Sequence, residues 1–467
     1  MSKNRLVLKK KLVAHALMLA FAASASSVVY AQSNTTGSIY GQVSAPAGTS
    51  VLIENASVGF KRSLTPDANG RFQALSLPVG EYKVSLIRDG KVERTEDVSV
   101  SVGAGKEIPF NVAQVQVVGR AVSRIDVSDT NQGLTFTAKE LAKIPVANNM
   151  GAVIQLAPSA VKGDPRYGGS GAPSIGGASA SENAYYINGF PVTNPLTQVG
   201  FSQLPFNSIQ TAQVLTGGYG AEFGRSTGGV VNVVTKQGSN DWVVGGAFSY
   251  SPDALRATPL DIVYPNSNNK VRQKLANEQV DSWMASAYVG GPLIKDKLFG
   301  FVNVEQNRYT RTGTRLVDSD PAAATSGWEE RTLKTPRMLA KFDWNITDDH
   351  HLEYTFVRDT PKDNRKYFGY DYKTHTPNRI QGGEVNYESY GPNPIAAPTG
   401  GNLDILKYTG HFGDDFTLTA LYGRTKIDRV QEQIGYNPAL PQISVVDGAP
   451  GINYVNKQPF TDDVFAP

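Results

Sequence analysis

The stretch Ile209–Lys236, IQTAQVLTGGYGAEFGRSTGGVVNVVTK, constrains this chain more than any other. It sets a strand at Ala212–Leu215, a glycine-rich turn at Gly217, Gly218 and Gly220, a tight connector at Phe223–Arg225, and a second strand at Gly229–Thr235. Two β-branched runs joined by clustered glycines call for backbone with positive φ and for close packing of chain on chain. The local expectation is a glycine-rich hairpin in a mainly β protein.

The beginning of the chain reads as a leader. Lys3, Arg5, Lys9, Lys10 and Lys11 precede the apolar run Leu12–Ala25, and Val29-Tyr30-Ala31 supplies a small-x-small cleavage pattern. Residues 1–31 are therefore expected to be a signal peptide cut between Ala31 and Gln32, because an apolar run this short does not span a bilayer as a helix. The leader holds five basic and no acidic residues, so removing it turns the formal net charge of +3 slightly negative. The basic balance thus gives no reason to expect a nucleic-acid partner. Cysteine is absent, which excludes disulfides, thiolate metal sites and a thiol nucleophile. After the leader there is no apolar run of about 18 residues, so a membrane role would have to come from strands.

Residues 32–112 form the next unit. GSIYGQVSA, ASVGFKRSL, GRFQALSLPVGEYKVSLIRDG and EDVSVSV are short alternating runs separated by turn residues, with Asn69-Gly70 as a hairpin turn. Such runs bury one face and wet the other, as in a β-sandwich. The GxVxG opening, the DxxGxF hairpin and the LPxGxY corner resemble the carboxypeptidase regulatory-like (transthyretin-like) domain. Residues 32–112 contain no histidine and hence no HxxE or HExxH pattern, so peptidase activity is not expected and a periplasmic spacer or interaction module is.

The opening stretch resembles the C-terminal half of the plug domain of TonB-dependent outer-membrane receptors, whose line IxxIEVLKGPxxALYGxxxxGGVINIxTK leads into the first barrel strand. The resemblance extends over residues 120–238. Thr137-Ala138-Lys139-Glu140-Leu141 reads as a capped helix start, and Asn148–Leu156 as a second short helix. The span GGSGAPSIGGASASENAYYINGFPV resembles the family's "SIRG" turn and "DG" hairpin. Gly176 replaces the arginine, Asn188-Gly189 replaces Asp-Gly in what remains a good type I′ turn, and Gln213 replaces a glutamate. The resemblance implies structural motif positions at Ile175, Gly177, Asn188, Gly189, Gly217, Gly220, Phe223, Gly224, Arg225, Gly228, Gly229 and Asn232. The glycines at 168–177 do not make a phosphate loop, since no GK[ST] ending or following helix exists.

Between the sandwich and the plug lies Gln114-Val115-Gln116-Val117-Val118-Gly119. It reads as a last sandwich strand or a linker. It reads equally as a TonB box at 113–119, an extended segment that an energy-coupling protein captures by strand addition through Val115, Gln116, Val117 and Val118.

From Asn240 onward, strands are expected at Trp242–Tyr250, Asp281–Gly291, Leu298–Thr310, Pro336–Asn345, His351–Arg358, Leu403–Phe412 and Phe416–Lys426. Ala340, Phe342 and Trp344 share one face while Lys341, Asp343 and Asn345 share the other. Short turns at Ile294–Lys297, Thr347–His350 and Gly413–Asp415 alternate with long polar segments at 251–280, 311–335 and 359–402. That rhythm is the pattern of an outer-membrane barrel, with short periplasmic turns and long outer loops. Gly290–Phe301, GGPLIKDKLFGF, also resembles a hairpin of the Oar-like subgroup. Trp242, Tyr250, Trp283, Tyr288, Trp344 and Tyr354 would form interfacial girdles. His350 and His351, neighbours on a strand, point to opposite faces and cannot readily share a metal ion.

These expectations give a mainly β chain. A transthyretin-like sandwich comes first, then an α/β plug, then residues 239–467 as about seven strands of an incomplete antiparallel transmembrane barrel. An odd number of strands cannot close, and the family barrel has about 22, so the chain reads as the N-terminal part of a longer protein. The resemblance implies a receptor for energised uptake of a ligand of unidentified class. Its partners would be outer-membrane lipid and a TonB-type inner-membrane complex, with no cofactor, metal or catalytic site. The alternatives are a structural or adhesive outer-membrane protein of the same fold, and a soluble periplasmic β-protein.

Overall fold

Alternating apolar residues build the first unit from β1 (Thr36–Gln42), β2 (Thr49–Asn55), β3 (Phe60–Leu64), β4 (Arg71–Pro78), β5 (Gly80–Arg88), β6 (Lys91–Val100) and β7 (Gly105–Ile108). The computed structural model describes residues 34–44, 46–108, 110, 132–145, 148–163, 172–195, 198–220, 222–224, 226–263, 271–314, 327–371, 374–388, 400–414, 416–427, 430–434, 443–444 and 453–454. One sheet has the order β4-β1-β7, with β1 and β7 parallel, and the other has the order β3-β2-β5-β6. Strict alternation on β2 sends Val51 and Ile53 into a core shared with Ile39, Leu77 and Val84. Gly70, at φ +77°, turns where a Cβ would strike the carbonyl of Val43. At the next corner the buried Tyr82 donates its hydroxyl to the Pro78 carbonyl at 2.8 Å.

The second unit centres on a five-stranded sheet. Its region holds β8 (Gln132–Thr137), β9 (Ala160–Lys162), β10 (Pro173–Ile175), β11 (Ala184–Ile187), β12 (Phe190–Pro191), β13 (Ile209–Gly217) and β14 (Val230–Thr235), in the order β12-β11-β14-β13-β8. Every residue of β14 is buried, which explains its unbroken VVNVVT run. The helix Ala138–Leu141 starts with a capping box between Thr137 and Glu140, and Asn149 caps Met150–Ile154 by accepting from the Ala152 N–H at 2.9 Å.

The third unit is one large antiparallel sheet. Its strands are β15 (Val243–Ser251), then β18 (Gln279–Ile294), β19 (Leu298–Thr314), β20 (Trp328–Thr347), β21 (His350–Asp359), β22 (Lys362–Asp371), β23 (Thr376–Glu388), β24 (Gly401–Phe412), β25 (Phe416–Lys426) and β26 (Val430–Ile434); a small hairpin of β16 (Ile262–Val263) and β17 (Val271–Gln273) lies outside it. The main path runs β15-β18-β19-β20-β21-β24-β25. Those seven strands cover the seven expected from the alternation, joined by the short turns at Ile294–Lys297 and Thr347–His350.

Two expectations are corrected here. The segments 311–335 and 359–402 are not simple loops: β19 and β20 continue to Thr314 and back to Trp328, and β22 and β23 form a further hairpin that pairs with β20, so the sheet has ten strands. This extension is held by charged pairs and by the buried Tyr370 stacked on Trp328. Arg331 meets Asp363 through two hydrogen bonds of 2.8 Å, and Arg365 reaches Asp363 at 2.7 Å. Tyr288 is also no girdle residue, since its ring faces inward under Lys236 and packs beside Phe301. The outward face carries Trp242, Phe248, Tyr250, Trp344, Tyr354 and Tyr422, all exposed. Among the described residues no helix is long and apolar enough to cross a membrane.

Candidate functional site: the plug and its seat on the sheet

The Gly-rich hairpin is the wall on which the plug is built. In the β13/β14 register Gln213 faces Asn232, and both are buried, with the Asn232 amide donating to Gln213 at 3.4 Å and to the Asn34 carbonyl. Only Gly218 of the three turn glycines has positive φ, at +70°; Gly217 is the last residue of β13, and Gly220 lies under the Glu222 carboxylate. The glycine requirement is mostly one of space. A Cβ on Gly229 would collide with Ile175, itself fully buried, and one on Gly228 would come within 2.7 Å of the Asn183 side chain. Gly177 supplies a turn at φ +79°. Phe223 packs edge-on against Tyr186 and Tyr219, and the Tyr186 hydroxyl donates to the Gly224 carbonyl at 2.9 Å. Arg225 lies outside the described residues, as do Ala31, Gln32 and the segment Val115, Gln116, Val117 and Val118.

Asn188 and Gly189 have φ values of 47° and 82°, the two positive angles that a type I′ turn needs. The turn places the Asn188 side chain at a three-way junction. Its Oδ1 accepts the Thr235 N–H at 2.9 Å, while its Nδ2 donates to Thr235 Oγ1 at 2.9 Å and to Thr355 Oγ1 on the sheet at 3.0 Å.

Other plug-to-sheet contacts fall on residues that motif reading did not single out. Glu305 accepts the Phe206 backbone N–H at 2.8 Å and Asp359 accepts the Gln203 backbone N–H at 2.8 Å. Arg337 joins the two carboxylates at 3.0 Å and 3.3 Å; both carboxylates are buried and Arg337 is largely so. Asn207 donates to Ser286 at 2.7 Å. Nearer the short-turn end, Glu353 is shared by Lys341 at 3.1 Å and Lys407 at 3.0 Å. The available signal was the polar face of each alternating strand, on which Lys341 and Asp343 stand; alternation gives the face, but not which plug atom meets it.

Apolar contact completes the seat. Phe301, Leu339, Val357, Leu403 and Ile405 of the sheet share one core with Val231, Val233 and Tyr185 of the plug. Burial pushes the Tyr185 phenol up to about 12 and lowers the Lys236 ammonium, whose Nζ lies 5.0 Å over the Tyr288 ring. Below the seat a cavity of about 530 Å³ opens between Lys236, Gln237, Lys341, Lys407 and the sandwich residues Thr35 and Ser57. Among the described residues no cluster of three or more His, Cys, Asp or Glu side chains could hold a metal ion.

The TonB-dependent Receptor Plug Domain model matches residues 126–231. The TonB-dependent transporter Oar of Myxococcus xanthus is 26% identical over 372 residues, covering 70% of this chain and 34% of that protein. The chain thus spans about a third of the length of this curated relative. Among solved structures, the outer-membrane transporter YddB of Escherichia coli has a TM-score of 0.48 at 16% identity, covering 65% of this chain and 40% of that one. The siderophore receptor PirA of Acinetobacter baumannii has a TM-score of 0.41 at 17% identity, covering 64% and 43%. Residues 126–231 thus match the plug domain of TonB-dependent receptors, and over 70% of its length the chain is similar to a TonB-dependent transporter.

Proposed function

We propose that the full-length protein is a TonB-dependent outer-membrane transporter that takes up a ligand by energised remodelling of its plug. The observation that carries this reading is the match of the plug model to residues 126–231, a region packed against the inward face of a sheet whose opposite face is aromatic and exposed. After export and removal of residues 1–31, the sandwich would lie in the periplasm and the aromatic face in lipid. The motif residues from Ile175 to Asn232 act structurally, as spacers and turns of the plug.

Coupling follows from chain order. The segment 113–119 precedes β8, which pairs with β13 at the edge of the plug sheet. An inner-membrane coupling protein adding itself as a strand along Val115–Val118 would, on the plug side, apply force first to β8. Loss of that edge strand strips one side of β13 while leaving the β13/β14 hairpin whole. The ligand would meet the outer strand extensions and the plug apices, and its class is left open.

The experiment is site-specific cross-linking in the native host. These 467 residues hold no cysteine, so Gln116→Cys is unique among them, and any cysteine beyond them in the full-length protein is first replaced by serine. It should form a disulfide with a cysteine-substituted TonB-type coupling protein, and the additional change Val117→Pro should abolish it by removing a backbone donor. No cross-link at any of residues 115–118 would discard the coupled transporter in favour of a structural or adhesive role.

A further inference from the structure

The sandwich does not share a core with the rest of the molecule. Its apolar cluster contains residues between Ile39 and Phe110, and the plug–sheet cluster contains residues between Leu134 and Ile405. What joins them is polar: Asn34, just before β1, meets Asn232 and Gly189 of the plug, and a larger contact lies at the short-turn end of the sheet. The 3-10 turn Ala56–Val58, between β2 and β3, presents three backbone carbonyls in succession. Asn240 reaches two of them, through its N–H to Ser57 at 2.6 Å and its side-chain amide to Ala56 at 2.9 Å. Asn345 donates to the third, Val58, at 2.9 Å.

The same two asparagines organise the Ile294–Lys297 turn. Asn240 accepts the Asp296 N–H at 2.9 Å, and Asn345 donates to the Asp296 carbonyl at 3.0 Å. Gly59, at φ +61°, lies so close to the Asp296 backbone that a Cβ would not fit. Phe60 stacks on His351 at 5.4 Å, and Thr65 donates its N–H to Asp414 at 3.3 Å. A second clasp holds the start of β1, where Lys407 donates to Thr35 Oγ1 at 3.1 Å. Behind this contact lies the cavity between plug and sheet, whose lining includes Thr35, Ser57, Val58 and Gly80 of the sandwich.

We propose that the sandwich is a lid: docked on the turns at Asp296, Asp349 and Asp414, it closes the cavity beneath the plug and lifts as a body to open it. Two features suit a contact that opens. Its hydrogen bonds are mostly neutral and locally exposed, so water replaces them at little net cost, as at the polar interfaces between mobile domains. Arg62, 4% exposed and under the docked face, keeps a buried Nη1 without a hydrogen-bond partner; burial lowers its pKa while Asp349 and Asp414 act in the opposite direction. That arrangement favours docking by charge while leaving a desolvation cost that opening removes. Residues 111–131 join the sandwich core to β8, a length whose full extension is about 70 Å, so once the Asn34 contacts with Asn232 and Gly189 are broken the sandwich can lift without displacing the plug sheet. On the transport reading above, the coupling segment lies in that connection, and a pull on it reaches β7 of the lid as directly as β8 of the plug.

The test reads access to the cavity and needs no ligand or transport. Gln237→Cys lines the cavity and is the sole cysteine of these 467 residues; with any cysteine beyond them replaced by serine, a bulky polyethylene-glycol maleimide added to the full-length protein in detergent reports the opening. Asn240→Ala with Asn345→Ala should raise the labelling rate at least tenfold, while protease resistance of the sandwich shows that it stays folded. In a second background, a disulfide formed between Val58→Cys and Asn345→Cys before labelling should stop the reaction at position 237, read on that peptide by mass, and reduction followed by removal of the reductant should restore labelling of that peptide. Equal labelling in the native, weakened and locked proteins would overturn the lid. A protein that fails to cross-link to a coupling partner but shows these rates would lose the transport reading and keep the lid.

Discussion

Phe206 of the plug donates its backbone N–H to the Glu305 carboxylate of the sheet at 2.8 Å, and both residues are buried. Arg337 holds the other Glu305 oxygen at 3.0 Å, so one carboxylate satisfies a plug amide and a sheet cation at once. Glu305→Ala strands both partners. A buried donor left without an acceptor costs about 1–3 kcal/mol, and breaking a buried ion pair costs about 3–5 kcal/mol. Amide exchange at Phe206–Ser208 should accelerate by at least tenfold in Glu305→Ala, while Glu305→Gln, which keeps an acceptor oxygen, falls between. Unchanged exchange in both variants would remove Glu305 from the seat.

Asn188 combines a left-handed turn with a junction of three elements. Asn188→Ala loses both and should destabilise the folded protein by about 2–4 kcal/mol, from strain plus unmade hydrogen bonds. Asn188→Gly keeps the turn and loses only the bonds, so it should recover part of that loss. Denaturant midpoints of the two variants measure the split; if both fall equally, the turn angle contributes nothing.

The contact between Gly229 and Ile175 is steric. Gly229→Ala should cost about 1–3 kcal/mol by overpacking, and Ile175→Ala alone a similar amount or more by leaving a cavity. The double variant should be more stable than the sum of the two losses allows, because each change relieves the other. Strict additivity in a double-mutant cycle would refute the packing argument.

Tyr185 gives the plug an alkaline limit. Its folded pKa is pushed up from 10.0 to about 12 by burial, so below pH 10 the phenol is neutral in both states and has no effect. Between pH 10 and about 12 the unfolded chain ionises first, and stability falls with rising pH by up to about 2.7 kcal/mol, at 1.36 kcal/mol per unit. The Tyr185→Phe variant should lack this part of the alkaline loss when unfolding is followed from pH 9 to 12. An identical slope in the variant would assign the loss elsewhere.

Periodicity made most of the fold legible. The strands from β18 to β25 along the main path announce themselves because one face is apolar every second residue, and the short turns between them because nothing else separates the runs. The Asn188-Gly189 turn was equally plain, since few dipeptides tolerate two positive φ angles. The β22–β23 hairpin was not legible, because the paired stretches Glu329–Lys334 and Lys362–Lys366 are mostly charged or polar and carry no periodic apolar signal.

The sequence by itself therefore determined the elements: local backbone preference and the two-residue repeat are properties of a few neighbouring residues. Tertiary structure alone decided which polar side chains meet. Glu305 finds Phe206 across 99 positions of sequence, Thr355 finds Asn188 across 167, and Asn345 finds Val58 across 287. In each of these contacts the side chain meets either a backbone group, which every residue possesses, or a common hydroxyl. No residue type marks such a partner in the sequence, and only the folded chain brings the two together.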